Sequence, residues 1–310
     1  MVHLDTAKLD DGHFSTSEVR RPEEPCLSTS RIIAFTRNQY REPPNLAAGF
    51  CSLDVSCEGP IRANLVADSI TNSHFRIAIE TWGKGILYEA GATWLEHKAN
   101  SRDCIFGQSD TDWSEPPTIS AKARSASPVK KQAINIKPAP KKKSSKAFAF
   151  PRPFKETPQI VCWLNRLDLV SSPDHNYKVW AFADGITPEG FTAHLNTWDD
   201  GELHGAAMCW IAFPKRKKHV DSGRFSTNDV RKRTNPRPRT TARVKFKQRF
   251  DRTPTVLAAL NRIDAAGNAD LRVKVDISEV DREGFRWTLE TWEDSTLYAA
   301  GASWIALGFA

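Results

Sequence analysis

The chain has 310 residues, 40% apolar and 26% charged, enough to build cores for two or three domains and too apolar for an intrinsically disordered sequence. Its 44 Lys plus Arg exceed its 37 Asp plus Glu by seven, giving a pI near 9.1. No apolar run approaches the ~18 residues a bilayer span needs, and a start carrying Asp5, Asp10 and Asp11 without an apolar stretch is unlike a secretory signal.

Six cysteines (Cys26, Cys51, Cys57, Cys104, Cys162 and Cys209) without a CxxC pair are too sparse for a disulfide scaffold, so reduced thiols are expected. With no Asn-x-Ser/Thr site, a cytoplasmic or nuclear location and no membrane insertion are expected. The charge is unevenly placed. Lys98 to Lys146 holds eleven basic and four acidic residues, and Lys215 to Arg243 eleven and two, so the remainder is acidic.

In chain order, a leader GHFSTSEVRRPEEP starts at Gly12, and Phe35 follows with Pro43 eight residues later. FRIAIETW (75–82) alternates with Phe75, Ile77 and Ile79 on one face, the mark of a half-buried strand, and a polar turn leads into LYEAGATW. Residues 98–146, rich in Lys, Ser, Ala and Pro, read as a basic, disordered linker that tethers the first domain loosely. Phe150 and Pro158 then repeat the eight-residue spacing and NTWDDGELHGAAMCW repeats the turn, but the leader is reduced to a remnant around Phe106.

After a short connection from Pro214 to Gly223, the leader returns as GRFSTNDVRKRTNP, and Phe246 and Pro254 follow. VKFKQRF, TVLAALNRI and LRVKVDI read as strands, and FRWTLETW with LYAAGASWIAL as a hairpin. Glu80–Trp94 and Glu290–Trp304 are identical at nine of fifteen positions without a gap. The chain is therefore three tandem copies, each a five- to six-stranded antiparallel β-sandwich, and the fold class is all-β. The domains are placed at 10–97, 147–214 (with a degenerate start) and 222–310, joined by the linker at 98–146 and one short connection.

Trp94, Trp210 and Trp304 follow the core alternation. Trp82, Trp198 and Trp292 fall on the opposite face at the strand end, where a large aromatic either packs under a neighbour or offers a flat surface to the C–H face of a sugar.

The Phe-x7-Pro spacing, the L-R-V strand, the Gly-Phe step, the T-W turn and the final W-I-A, in one order in triplicate, resemble the H-type lectin domain. That resemblance implies a trimeric β-sandwich that binds galactose or N-acetylgalactosamine without catalysis, in pockets at subunit boundaries. It places a pocket arginine at Arg62 and Arg272, with Lys178 in the middle copy; the turn tryptophan at Trp82, Trp198 and Trp292; and a tyrosine at Tyr88 and Tyr298, with His204 in the middle copy. An arm residue falls on Glu24 and Asn235. Where the family's agglutinins carry a histidine after the tryptophan, this chain has Gly83, Asp199 and Glu293. A guanidinium donates to vicinal hydroxyls while a carboxylate accepts from them, so the chemistry suits a hexose, and Lys178, lacking a planar fork, weakens or alters the middle site.

Three fused copies fit one pseudo-threefold unit with unlike pockets, and the chain is expected to be a monomer or a homo-oligomer with glycans or glycoproteins as partners. No HExxH, GxGxxG or P-loop occurs, so no enzyme activity, cofactor or metal is expected. The rival reading is a nuclear nucleic-acid or protein-interaction scaffold that has lost sugar binding. It rests on the lysine clusters at Lys130, Lys141–Lys143 and Lys215–Lys218, which would bind polyanions weakly and with strong salt dependence.

Overall fold

Alternating apolar residues and turn-forming polar clusters give each copy six strands in a computed structural model that describes residues 12–35, 40–99, 101, 103–111 and 142–308. Copy one comprises β1 (His13–Ser15), β2 (Ser28–Ala34), β3 (Asn45–Val55), β4 (Ile61–Asp68), β5 (His74–Glu80) and β6 (Leu87–His97). Copy two comprises β7 (Ile105–Asp110), β8 (Lys143–Ala149), β9 (Gln159–Leu169), β10 (Tyr177–Asp184), β11 (Gly190–Asn196) and β12 (Leu203–Phe213). Copy three comprises β13 (Val220–Ser226), β14 (Arg239–Lys245), β15 (Thr255–Ala265), β16 (Leu271–Ser278), β17 (Gly284–Glu290) and β18 (Leu297–Leu307). No helix among the described residues is long and apolar enough to cross a membrane.

Each copy is a two-layer β-sandwich, but no layer closes within its own copy. The three six-stranded sheets run β1-β6-β3-β16-β17-β14, β13-β18-β15-β10-β11-β8 and β2-β5-β4-β9-β12-β7. The first, third and sixth strands of one copy therefore continue into the fourth, fifth and second strands of another. The joints β4–β9, β10–β15 and β16–β3 are antiparallel ladders and close the copies into a ring. Pairing removes the open edges of six long strands, edges that would otherwise template aggregation.

Two kinds of core result. Inside each sandwich, Phe75 packs at 5.5 Å against Trp94, Phe191 at 5.0 Å against Trp210 and Phe285 at 5.1 Å against Trp304, all edge-on. The second core lies where the copies meet and is built from equivalent positions: Ala47, Val161 and Leu257 on the third strands, and Leu95, Ile211 and Ile305 on the sixth. At its centre Gly49, Trp163 and Ala259 occupy one equivalent position. A Cβ on Gly49 would lie 2.4 Å from the Trp163 Cβ and 2.8 Å from the Ala259 Cβ. One indole thus fills the axis because its two counterparts are small, and its Nε1 donates to the Ser303 carbonyl at 2.9 Å.

Several expectations change. The first domain is not loosely tethered, since β4 and β9 share a ladder from Ile61↔Leu169 to Asn64↔Arg166. The segment read as linker contains β7 and the start of β8; residues 112–141, with Lys130, Lys131 and Lys141, lie outside the described residues. The remnant leader of copy two is a complete strand. Thr111 Oγ1 accepts from the Ala206 N–H at 3.0 Å, as Thr16 does from Ala90 and Thr227 from Ala300. The register puts Ser109, rather than Phe106, at the position of Phe14 and Phe225.

VKFKQRF is only partly a strand. Chain pairing ends at Lys245, and Phe246 and Phe250 turn inward to meet edge-on at 4.9 Å. The strands before and after each Trp turn do not form a hairpin, because β17 pairs with β14 and β16 whereas β18 pairs with β13 and β15. Both strands bury a full apolar face, so they oppose each other across the sandwich instead of lying edge to edge. All six cysteines are free, and burial pushes the Cys51 and Cys209 thiols up to about 12.

Trp163→Ala is expected to cost about 3–5 kcal/mol by leaving a cavity on the axis. Gly49→Ala should cost about 1–3 kcal/mol by overpacking, but less in a Trp163→Gly background, which removes the Cβ that would lie 2.4 Å away. Denaturant midpoints of the four-member mutant cycle check this; additive losses would contradict the axial contact.

Candidate functional site

The three ladders between copies place equivalent side chains opposite one another. At the joint of copies one and two, Arg62 faces Asp168; at that of two and three, Lys178 faces Asp264; at that of three and one, Arg272 faces Asp54. Every joint therefore sets a cation of one copy against an aspartate of the next. The turn after the fifth strand brings the tryptophan of the cation's own copy to the same place. The residue after each tryptophan is left-handed: Gly83 at φ +62°, Asp199 at 48° and Glu293 at 54°. At the first, a Cβ on Gly83 would lie 2.6 Å from an Arg62 guanidinium nitrogen, so a side chain there would displace the end of that arginine.

The aromatic from the sixth strand comes to the joint from the other side. His204, Tyr88 and Tyr298 are the extra residues of β-bulges, skipped in the pairing beside Asp168, Asp54 and Asp264 respectively. Bulges of this kind re-aim a side chain beside functional sites. Tyr88 thus belongs with Trp292, Tyr298 with Trp198 and His204 with Trp82, so each site draws its tryptophan and its tyrosine or histidine from different copies.

The joints differ in charge. Between copies one and two, Arg62 Nε donates to Asp168 at 3.0 Å and its guanidinium lies 5.4 Å from the Trp82 ring centroid. Nearby, Arg166 is held by Asp110 at 2.8 Å. Between copies two and three, the buried Lys178 turns to Asp199 at 3.3 Å and to Asp200, not to Asp264. Asp264 is gripped instead by Arg233, at 2.6 and 3.2 Å, and the Arg233 guanidinium lies 5.1 Å from the Tyr298 ring.

Between copies three and one, Arg272 is ringed by carboxylates: Asp54 at 3.3 Å, Asp270 at 2.7 Å, Glu293 at 2.9 Å and Asp294 at 2.6 Å. Burial, reinforced by Asp270 and Glu293, pushes the Asp54 carboxyl up to about 6 against the opposing pull of Arg272 and a Trp292 hydrogen bond.

The arm residues Glu24 and Asn235 are exposed. Their carbonyls accept at 3.4 and 3.3 Å from Arg20 and Arg231, which also donate to Leu87 and Leu297 and so clip the arm to the sixth strand. The arm side chain that reaches a joint is Arg233, not Asn235. Lys142, expected to be solvated linker charge, donates to the carbonyls of Asp199 at 2.8 Å and Gly201 at 2.6 Å, bracing the Trp198 turn.

The sequence reading missed Asp54, Asp168 and Asp264. They occupy one place in CSLDV, LNRLDL and LNRIDA, eight to ten residues before the pocket cation, and that recurrence was the available signal. Among the described residues no cluster of His, Cys, Asp or Glu has the makings of a metal site.

At each joint of this three-copy ring of β-sandwiches an aromatic, a cation and a carboxylate converge. The H-type lectin domain model matches residues 30–95, 145–213 and 241–307, more than half of the chain, and the chain belongs to that family. A region called ATP synthase subunits region ORF 7 from Fuscovulum blasticum is 29% identical over 65 residues, 21% of this chain and 56% of that relative's length. Among solved structures, recombinant discoidin II of Dictyostelium discoideum matches 53% of this chain and 77% of its own at 16% identity and a TM-score of 0.27. Wild-type discoidin II from the same organism matches 50% and 73%, at 16% identity and a TM-score of 0.26.

A carboxyl with a raised pKa in the folded state holds its proton more tightly folded than unfolded. Its contribution to stability therefore falls as pH rises from its ordinary value of 3.8 through about 6. Relative to Asp54→Asn, which cannot titrate, the wild-type chain should lose about 1–2 kcal/mol between about pH 4 and pH 7. Urea melts of both proteins across that range check it, and a flat or rising difference would contradict the assignment.

Proposed function

We propose that the chain is a non-catalytic, multivalent lectin that binds galactose- or N-acetylgalactosamine-type glycans at its three copy joints. The observation that carries this reading is the repeated convergence of Trp82, Trp198 or Trp292 with a cation of the same copy and an aspartate of the next. A half-buried indole suits the apolar face of a hexose, while the charged pair supplies donors and acceptors for its hydroxyls.

The three sites are unequal. Arg62 keeps a planar fork beside Trp82, with Nε engaged by Asp168 and one terminal nitrogen donating to the Trp82 carbonyl at 3.4 Å. Arg272 is saturated, so hydroxyls there would donate to the carboxylates around it, and no cation lies over the Trp292 ring among the described residues. Lys178 offers a point charge already held by Asp199 and Asp200. Linking the sites in one ring raises their effective concentration, so weak single-site affinities add up on a branched glycan or a decorated surface.

A glycan array followed by calorimetric titration with galactose and N-acetylgalactosamine tests the reading. Each of Trp82→Ala, Trp198→Ala and Trp292→Ala should weaken its own site about tenfold, and the triple variant should lose array binding while still melting as one cooperative unit. Array binding untouched in the triple variant, but lost when Lys215–Lys218 are neutralised, would place recognition on the basic segments instead.

A further inference from the structure

At the joint of copies two and three one cation stands apart. Arg62, Arg166, Arg233 and Arg272 each hold a carboxylate. Arg262 makes no hydrogen bond or ion pair among the described residues, and its Nε is buried without a partner. The nearby carboxylate, Asp264, is fully buried and chelated by Arg233.

Two indoles hold Arg262 in place: its guanidinium lies 5.0 Å from the Trp198 centroid and 5.1 Å from the Trp180 centroid. The aromatic surface continues outward, with Phe182 4.3 Å from Trp180 and His194 stacked on Phe182 at 4.5 Å and 11°.

The other joints lack this arrangement. The position of Arg262 is Ser52 in copy one, and in copy two it is Arg166, which Asp110 already neutralises. The positions of Trp180 and Phe182 are Asn64 and Val66 in copy one, and Lys274 and Asp276 in copy three.

A planar guanidinium packed against aromatic rings and left without an anion can bind a carboxylate or a sulfate ester with two parallel hydrogen bonds. We propose that the joint of copies two and three takes a glycan carrying an anionic group, a carboxylate or a sulfate ester, with Arg262 as the residue that selects it. This rests on the lectin reading and gives one of its three sites a distinct ligand class. A single anion on a sugar fits better than a phosphate polymer, because the exposed carboxylates of Asp184 and Asp199 rim the same surface and repel a polyanion.

The test titrates full-length protein with a galactoside, with the same galactoside extended by a sialic or uronic acid, with its sulfated form, and with single-stranded oligonucleotide. Arg262→Gln should weaken the acidic probes about tenfold more than the neutral one, and Arg262→Lys, which restores charge but neither plane nor fork, should recover only part of that loss. The carboxylate and sulfate arms show which group the site prefers. Equal losses for acidic and neutral probes, no binding of acidic probes by the wild type, or equal competition by the oligonucleotide would overturn the proposal. Arg262-dependent acidic binding without any neutral galactoside binding would keep it and overturn the galactose reading alone. Unchanged melting temperatures of the variants separate either result from misfolding.

Discussion

Everything else in this fold depends on the short antiparallel ladders that join the fourth strand of one copy to the third strand of another. Each is only four residue pairs long, as from Leu271↔Val55 to Lys274↔Ser52, yet it completes two half-sheets at once. Without it a copy would be two three-stranded layers, each with an open edge next to an apolar face. With it, the second residue of each ladder is forced opposite an aspartate in a neighbouring copy, and the binding chemistry is assembled by the same register that holds the ring. Assembly and recognition are therefore one geometric event, and a slip of one residue would turn both the pocket cation and the core residues to the wrong faces.

Much of the fold was legible because it is written three times. Phe75, Phe191 and Phe285 at equal distances from Trp94, Trp210 and Trp304 marked the sandwich cores, and those pairs are in contact. What a repeat cannot show is which strands pair. The segments flanking Trp292 look like a hairpin because sequence neighbours with opposed apolar faces usually pair, but two faces that are both buried must lie across a core. The site was legible by half. Arg62, Trp82 and their counterparts stood out as recurrent residues, whereas Asp54, Asp168 and Asp264 were passed over because their partners lie in other copies. Tyr88 and Tyr298 were recognised, but their transfer to the next joint depends on bulges that no local pattern reveals.

The net charge conceals a division of labour among the joints. Around Arg272 carboxylates outnumber the cation, and burial, reinforced by their repulsion, lifts Asp54 toward neutrality; around Arg62 and Arg166 each charge has a partner; around Trp198 three cations and three carboxylates interlock and leave one guanidinium over. Fusing the copies freed each joint to diverge, since a substitution in one copy alters one site and not three. A self-assembling ring of identical subunits cannot make that distinction.

The axial position shows what this freedom costs. Gly49, Trp163 and Ala259 fit only as a set: three indoles would collide there, and three glycines would leave a void. Each copy is thus cut for one slot. A ring built from three copies of any one unit would place three like residues on the axis, so the set of three unlike units joined in one chain has become part of its tertiary structure.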